Sequence, residues 1–218
     1  MKILEIPLFR EIQACEFAEM EHQHCMRRQK YEKTEQIFRA GDHIEEIGIV
    51  LSGSVIIENI DFWGHKSILS YLGPGQVFAE TYALCREPMM VDVLSAELSE
   101  VLFLNLQVLL DQKNRGHSWY LKILHNLLQI SVHKNLMLSH RIFCTTPKNV
   151  RGRLLTYLSA QAVKNGSMEF TIPFTRQQMA DYLNLDRSAL SKELCRMRDE
   201  GLLTFYKNRF TLIQLNQP

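Results

Sequence analysis

Apolar residues follow two different rhythms along this chain, and the rhythm changes near Gln112. From about Thr34 to Leu104, short β-branched and aromatic runs are cut by glycine: EQIFRAGD, IGIVLSGSVIIENI, HKSILSYLGPGQVF, VDVLSA and SEVLFLNL. Short runs at such spacing predict an antiparallel sandwich or barrel. Gly41-Asp42, Ser52-Gly53, Trp63-Gly64 and Gly73-Pro74-Gly75 fall at the breaks, where glycine reaches positive φ without steric cost. Between about Gln112 and Phe143 the pattern turns helical, with Tyr120, Leu124, Leu127, Ser131 and Leu138 on one stripe. A helix of around 30 residues spans roughly 45 Å, more than one small sandwich covers, so a second copy packed along it as a coiled coil is expected. The alternative is a helix laid over its own sheet. Pro147 stops the pattern, and TTPKN reads as a hinge.

Beyond the hinge, NVRGRLLTYLSAQAVKNG predicts an amphipathic helix ending at Asn165-Gly166, and MEFTIPF a short strand. Then comes TRQQMADYLNLDRSALSKELCRMRDEGLL. Thr175 with Gln178 three residues on is a capping-box start, and Met179, Ala180 and Leu183 give that helix an inward face. Asn184 suits a left-handed turn. Asp186 is the expected N-cap of a second helix that turns Leu190, Leu194 and Met197 inward and stops before Gly201. Two short helices joined by a tight turn make a helix-turn-helix. The outward face at the start of the second helix carries Arg187, Ser188, Ser191 and Lys192, the candidate base-reading residues. LLTFYKNRFTLIQL reads as a hairpin around Lys207-Asn208, a wing beside that helix. Thr175, Arg176, Lys207 and Arg209 are then candidate phosphate contacts.

Composition sharpens this picture in three places. At 218 residues and 46% hydrophobic content, the chain has room for one large domain or two ordinary ones. The start, MKILEIPLFREIQACEF, lacks a long apolar run after a basic segment, and no window approaches the roughly 18 apolar residues of a membrane helix, so a soluble cytoplasmic chain without a membrane partner is expected. Five scattered cysteines, Cys15, Cys25, Cys85, Cys144 and Cys195, do not form a paired disulfide framework, which favours reduced thiols. Net charge is +1, but residues 1–146 hold 14 Lys and Arg against 18 Asp and Glu, and residues 147–218 hold 11 against 6. An acidic body with a basic tail fits a polyanion-binding C-terminus.

From PLFREI at Pro7 onwards the chain resembles the Crp/Fnr family of bacterial transcription regulators. IFRAGDHIEEIGIVLSGSVII with HKSILSYLGPGQVFAE resembles the cyclic-nucleotide-binding jelly roll, and FTRQQMADYLNLDRSALSKELCRMRDEGLL resembles the family's DNA-binding signature. The resemblance implies an α+β architecture: an N-terminal β jelly-roll sensor domain over residues 1–111, a dimerisation helix and hinge over 112–146, and a C-terminal winged helix-turn-helix over 147–218. It also implies a homodimer on double-stranded DNA with a palindromic operator, half-sites about 34–36 Å apart, acting with RNA polymerase.

The resemblance implies an effector pocket as well, and here the chain departs from the pattern. Cyclic-nucleotide binders carry a Gly-Glu pair and, further on, an Arg-Ser or Arg-Thr pair that holds the phosphate. This chain has Ala79-Glu80 and Met90-Val91, so the guanidinium and hydroxyl are missing, and Arg86 falls too early to replace them without a rebuilt loop. Cyclic AMP is therefore not expected as effector. Ala79, Glu80, Tyr82, Met89, Met90 and Val91 either line a pocket for a less charged small molecule or pack as core, methionine being a common filler of irregular gaps.

No cofactor is expected. Cys15 and Cys25 lack the spacing of an N-terminal iron–sulfur site, and no haem-attachment motif supports Cys85 or a histidine as an axial ligand. His22, His24 and Cys25 are ligand types that suit zinc or copper, or an accidental neighbourhood on a helix surface; no metal site is assigned. No nucleophile–base pair, phosphate-cradling loop or close carboxylate pair points to catalysis, so an enzyme is not expected. Two alternatives remain: a redox-responsive regulator acting through Cys25, Cys85 or Cys144, and an effector-binding subunit that does not bind DNA.

Overall fold

The computed structural model of the chain describes residues 3–23, 25–60, 62–63 and 66–213, and it divides into two compact units, Met1–Ser131 and Val132–Pro218. The first unit opens with two 3-10 turns, at Ile3–Glu5 and Pro7–Phe9, and helix α1 (Ala14–His22). Strands β1 (Met26–Tyr31), β2 (Gln36–Phe38), β3 (Glu46–Ser52), β4 (Val55–Ile60), β5 (Lys66–Leu72), β6 (Val77–Phe78), β7 (Asp92–Ser95) and β8 (Ser99–Asn105) follow, with a short helix α2 (Glu80–Cys85) before β7 and another, α3 (Leu106–Leu109), after β8. They form two antiparallel sheets, ordered β1-β8-β3-β6 and β2-β7-β4-β5. Apart from the β4–β5 hairpin, consecutive strands thus alternate between sheets, the interleaving of a jelly-roll sandwich.

The space between the sheets is filled by aromatic and β-branched side chains, among them Tyr31, Phe38, Val55, Phe78, Val93, Val101 and Phe103. Phe38 meets both Phe78 and Phe103 edge to face, at centroid distances of 6.0 and 5.7 Å, the arrangement favoured by ring quadrupoles. Phe78 also lies directly on Gly48: a Cβ at that position would stand 2.0 Å from the ring. Gly41, Gly53 and Gly75 take positive φ, as their turns require, whereas Gly64 lies outside the described residues. A second core, on the far side of the β1-β8-β3-β6 sheet, packs Ile47, Ile49, Leu102 and Leu104 against Phe9, Phe17 and Met20 from the N-terminal segment and Trp119, Ile123 and Leu127.

Those last three residues begin α4 (Ser118–Thr145), which starts later than the sequence pattern predicts. Residues Gln112–Gly116 form a 3-10 turn instead, because the Asp111 side chain caps the Lys113 amide and buried Asn114 donates to the carbonyls of Val108 and Leu109. The predicted single stripe also splits: Tyr120 and Leu127 are buried against their own unit, while Leu138 is exposed. Leu121, Leu128, Val132, Leu136, Ile142 and Phe143 are exposed along the same helix.

β1 has no counterpart among the predicted elements. Its sequence, MRRQKY, lacks apolar alternation because the strand sits at a sheet edge with its middle residues exposed, and Arg27 covers the Phe103 ring at 3.9 Å while pairing with Glu46.

The second unit contains the end of α4, then α5 (Val150–Asn165), β9 (Glu169–Thr171), α6 (Arg176–Tyr182), α7 (Arg187–Asp199), β10 (Leu203–Tyr206) and β11 (Arg209–Leu212). The three strands form a sheet ordered β10-β11-β9. Asn149 caps α5 through the Gly152 amide, and Gly166 closes it in the left-handed conformation. Leu154, Leu158, Met179, Ala180, Leu183, Leu190, Leu194, Met197, Leu203 and Phe210 form one core in which all three complete helices and the hairpin meet.

Candidate nucleic-acid interface

Local chemistry sets the geometry of α6 and α7. Thr175 Oγ1 accepts from the Gln178 amide at 3.3 Å while Gln178 Oε1 accepts from the Thr175 amide at 2.9 Å, a closed capping box. Asn184 takes φ +51° and reverses the chain. Asp186 then caps α7: its Oδ1 accepts from the Ser188 hydroxyl at 2.5 Å and from the Ala189 amide at 2.9 Å. The Ser188 hydroxyl, then the Ala189 amide, hold the Asp186 carboxyl below its usual range. With Leu190, Leu194 and Met197 buried, Arg187, Ser188 and Lys192 are left exposed and Ser191 half-buried on the opposite face.

Two arginines grip the end of α6, a feature that motif reading did not single out. Arg141, in the last turns of α4, donates to the carbonyls of Asp181 and Tyr182 and to Asn184 Oδ1. Arg153 donates to the carbonyls of Leu183 and Asn184 at 3.0 and 2.8 Å and to that of Pro147 at 2.8 Å. Carbonyls at a helix C-terminus lack intrahelical partners, and charged donors satisfy them well. His140 Nδ1 adds a contact with Tyr182 Oη at 3.0 Å.

The hairpin β10–β11 turns through Lys207 at φ +54° and Asn208, whose side-chain amide donates to the Ile172 carbonyl at 3.0 Å. Lys207 is exposed at the tip. Arg176 donates to the Lys207 carbonyl at 3.0 Å, and its guanidinium lies 5.1 and 5.5 Å from the ring centroids of Phe205 and Phe210. Burial there lowers its pKa. Arg209 is exposed but tied to Glu169.

The remaining arginines of this unit are also engaged: Arg151 with Glu193 and Glu200, Arg196 with Glu200, and Arg198 with Asp199. Among the described arginines of this unit, Arg187 differs in that its side chain has neither an ion pair nor a hydrogen bond, and Lys192, like Lys148, Lys164 and Lys207, is exposed and likewise without one.

In the sandwich, Ala79 takes φ +67°, a left-handed conformation that suits glycine, and leads into α2. Glu80 and Met89 are buried, Tyr82 and Val91 half-buried, and Met90 is exposed. Arg86 is turned to Gln107, donating to its Oε1 at 2.7 Å. A separate open cleft of about 390 Å³ lies on the outer face of the β2-β7-β4-β5 sheet, lined by Gln36, Arg39, Ala40, Glu58, Ile60, Asp92 and Leu94. Asp92 braces it by accepting from Gln36 and the Ala40 amide.

The thiols at Cys25 and Cys144 are buried, and desolvation raises the pKa of both, while Cys85 is exposed. Among the described residues no three His, Cys, Asp or Glu side chains converge as a metal site, and His24 lies outside those residues. No helix among the described residues is long and apolar enough to cross a membrane.

Comparison with known proteins agrees with this arrangement. Residues 28–115 match the model of the cyclic nucleotide-binding domain, and residues 152–217 that of the Crp-like helix-turn-helix domain. Electron transport regulator A of Shewanella oneidensis is 24% identical over 194 residues, covering 86% of this chain and 74% of that protein. Among solved structures, FixK2 from Bradyrhizobium japonicum superposes with a TM-score of 0.53 at 19% identity, covering 87% of this chain and 93% of that one. The c-di-GMP responsive regulator CLP from Xanthomonas campestris superposes with a TM-score of 0.54 at 18% identity, covering 91% and 100%. With a cyclic-nucleotide-binding-like sandwich, a long helix and a Crp-like helix-turn-helix following one another in a single chain, the protein belongs to the Crp/Fnr family of DNA-binding transcription regulators.

Proposed function

We propose that this regulator binds a palindromic operator as a homodimer, placing α7 of each subunit in the major groove of one half-site. The supporting observation is the outward face of α7, where Arg187 and Lys192 are exposed and unpartnered among the described residues, in a unit whose other arginines are engaged. Arg187, Ser188, Ser191 and Lys192 read bases, while Thr175, Lys207 and Arg209 contact phosphates. Arg176, though half-buried against the hairpin, adds positive field near the backbone and fixes the wing tip. The exposed apolar residues Leu121, Leu128, Val132, Leu136, Ile142 and Phe143 of α4 supply the dimer seam, burial of such side chains being the main drive for helix pairing.

The sensor sandwich binds an unidentified small molecule through Ala79, Glu80, Tyr82, Met89, Met90 and Val91. That molecule is not cyclic AMP, since neither Met90 nor Val91 offers a charged donor to a phosphate. The protein works in the cytoplasm and recruits or blocks RNA polymerase according to where the operator lies. Burial raises the thiol pKa of Cys25 and Cys144, which weighs against a redox response through those two residues, because the thiolate is the reactive form.

The test is to incubate the full-length protein with sheared genomic DNA from its own source, with and without a metabolite extract, and to sequence the retained fragments. Enrichment of a palindrome in either arm supports the reading. Retention that is indifferent to sequence in both arms would sink it. Sedimentation of the same preparation tests the dimer, and a monomer at micromolar concentration would remove the α4 seam.

A further inference from the structure

Resting on the assignment of α7 as the reading helix, the hydrogen bonds at its start constrain which bases it reads. At about 100° per residue, Arg187, Ser188 and Lys192 follow one another around the exposed side of the helix, with Ser188 between the two cations. Neither cation has an internal partner among the described residues, so each arrives with all its N–H donors free. Ser188 differs. Its hydroxyl proton is committed to Asp186 Oδ1, and the same carboxylate is fixed by the Ala189 amide, so turning the hydroxyl away would strip a hydrogen bond from the N-cap.

A serine in that state faces outward with lone pairs only. Glu193, the nearest acid along α7, is turned the other way and held by Arg151 at 2.6 Å, so it does not supply an acceptor to this face. Half-buried Ser191 has no such tie and keeps both its donor and its acceptor, so it carries no preference of its own.

We infer that each half-site contains two guanines, taken at O6 and N7 by Arg187 and Lys192, and near them a base whose exocyclic amino group, adenine N6 or cytosine N4, donates to the Ser188 oxygen. In the major groove only adenine and cytosine present such a donor, so Ser188 disfavours guanine and thymine on the strand it faces. Asp186 is then a positioning residue that sets the polarity of the serine without touching DNA.

The experiment uses the full-length chain and DNA selected from a random pool, in buffer and with metabolite extract. The expected half-site has two required guanines and one position restricted to adenine or cytosine. Replacing either guanine by 7-deazaguanine, which lacks N7 but pairs normally, is expected to weaken binding about ten-fold. Ser188→Ala is expected to abolish the restriction at the amino-bearing position and leave the guanines required. The variant should still fold cooperatively, its melting temperature lowered only by loss of the Ser188–Asp186 hydrogen bond, because Asp186 still caps the Ala189 amide. Selected sites indifferent to 7-deazaguanine, or a Ser188→Ala protein that selects the parental sequence at every position, would overturn the inference while leaving operator binding intact. Failure to enrich any sequence in either buffer would overturn the reading of α7 itself, and this inference with it.

Discussion

Arg153 donates a 2.8 Å hydrogen bond to the carbonyl of Asn184, the residue whose left-handed backbone carries the chain from α6 into α7. The turn is therefore held twice, by its own conformation and by a cation from α5. A left-handed residue with a Cβ costs roughly 1–2 kcal/mol, less for asparagine, whose side chain bonds locally, and Asn184 Oδ1 also accepts from Arg141 at 3.3 Å. Asn184→Ala should lower the unfolding free energy by about 1–2 kcal/mol, and Asn184→Gly by less, since glycine keeps the backbone relaxed and loses only the Arg141 contact. Urea titrations of both variants decide this; equal losses would show that the side-chain bond, not the backbone, matters.

Arg187→Ala should weaken binding to the selected operator by about 1–3 kcal/mol and relax preference at one position per half-site. Its melting temperature should not move, because Arg187 has no internal partner among the described residues. Fluorescence anisotropy with specific and scrambled duplexes separates the two effects, and a parallel loss on scrambled DNA would reassign Arg187 to phosphate.

Lys207→Ala should behave in the opposite manner, weakening operator and scrambled DNA alike. The slope of log affinity against log salt should shrink by about 0.9 per lysine removed. An unchanged slope would take the wing tip off the DNA.

Ala79→Gly should raise stability by about 1 kcal/mol, since a left-handed alanine at φ +67° carries strain that glycine lacks. Denaturation monitored by far-UV circular dichroism reads the change, and a loss of stability would mean that the buried methyl group contributes more through packing than the backbone strains.

Glu16 gives the first unit an acid limb. Its carboxyl is held at about 2, below its ordinary 4.5, by the Gln13 amide foremost and then by Lys122 and Ser118. A folded value below the unfolded one means that the stabilisation is complete above the ordinary value and is lost as pH falls toward the folded one. Urea midpoints followed by fluorescence of buried Trp119 should therefore fall between pH 4.5 and 2, and Glu16→Gln should flatten that fall.

The helix-turn-helix was legible almost residue by residue. Thr175, Asn184, Asp186 and Gly201 are punctuation whose meaning depends on a few neighbouring atoms, and the structure uses each as its chemistry suggests. The sheets were legible where apolar side chains are buried, above all in β3 and β8, whose two faces feed two different cores. Not legible was β1, whose middle residues are exposed, so that hydrogen bonds to β8 rather than buried apolar side chains make the strand. The start of α4 was misread because apolar spacing does not register Asn114, whose amide ties the chain back to Val108. Arg176 shows a similar limit. From sequence it is a surface cation at a helix start; only the fold brings the Lys207 carbonyl and two phenylalanine rings to it. Arg141 and Arg153 carry no motif at all, since their partners are backbone carbonyls supplied by distant residues.

The internal engagement of so many basic side chains bears on how this regulator would search a genome. Arg141, Arg151, Arg153, Arg196 and Arg198 already have partners, so the second unit offers random DNA far fewer loose cations than its composition suggests. Sequence-independent affinity grows with the number of phosphates neutralised. Dwell times on random DNA should be short, and the protein should scan by frequent release and recapture, with long residence reserved for sites that engage the free face of α7.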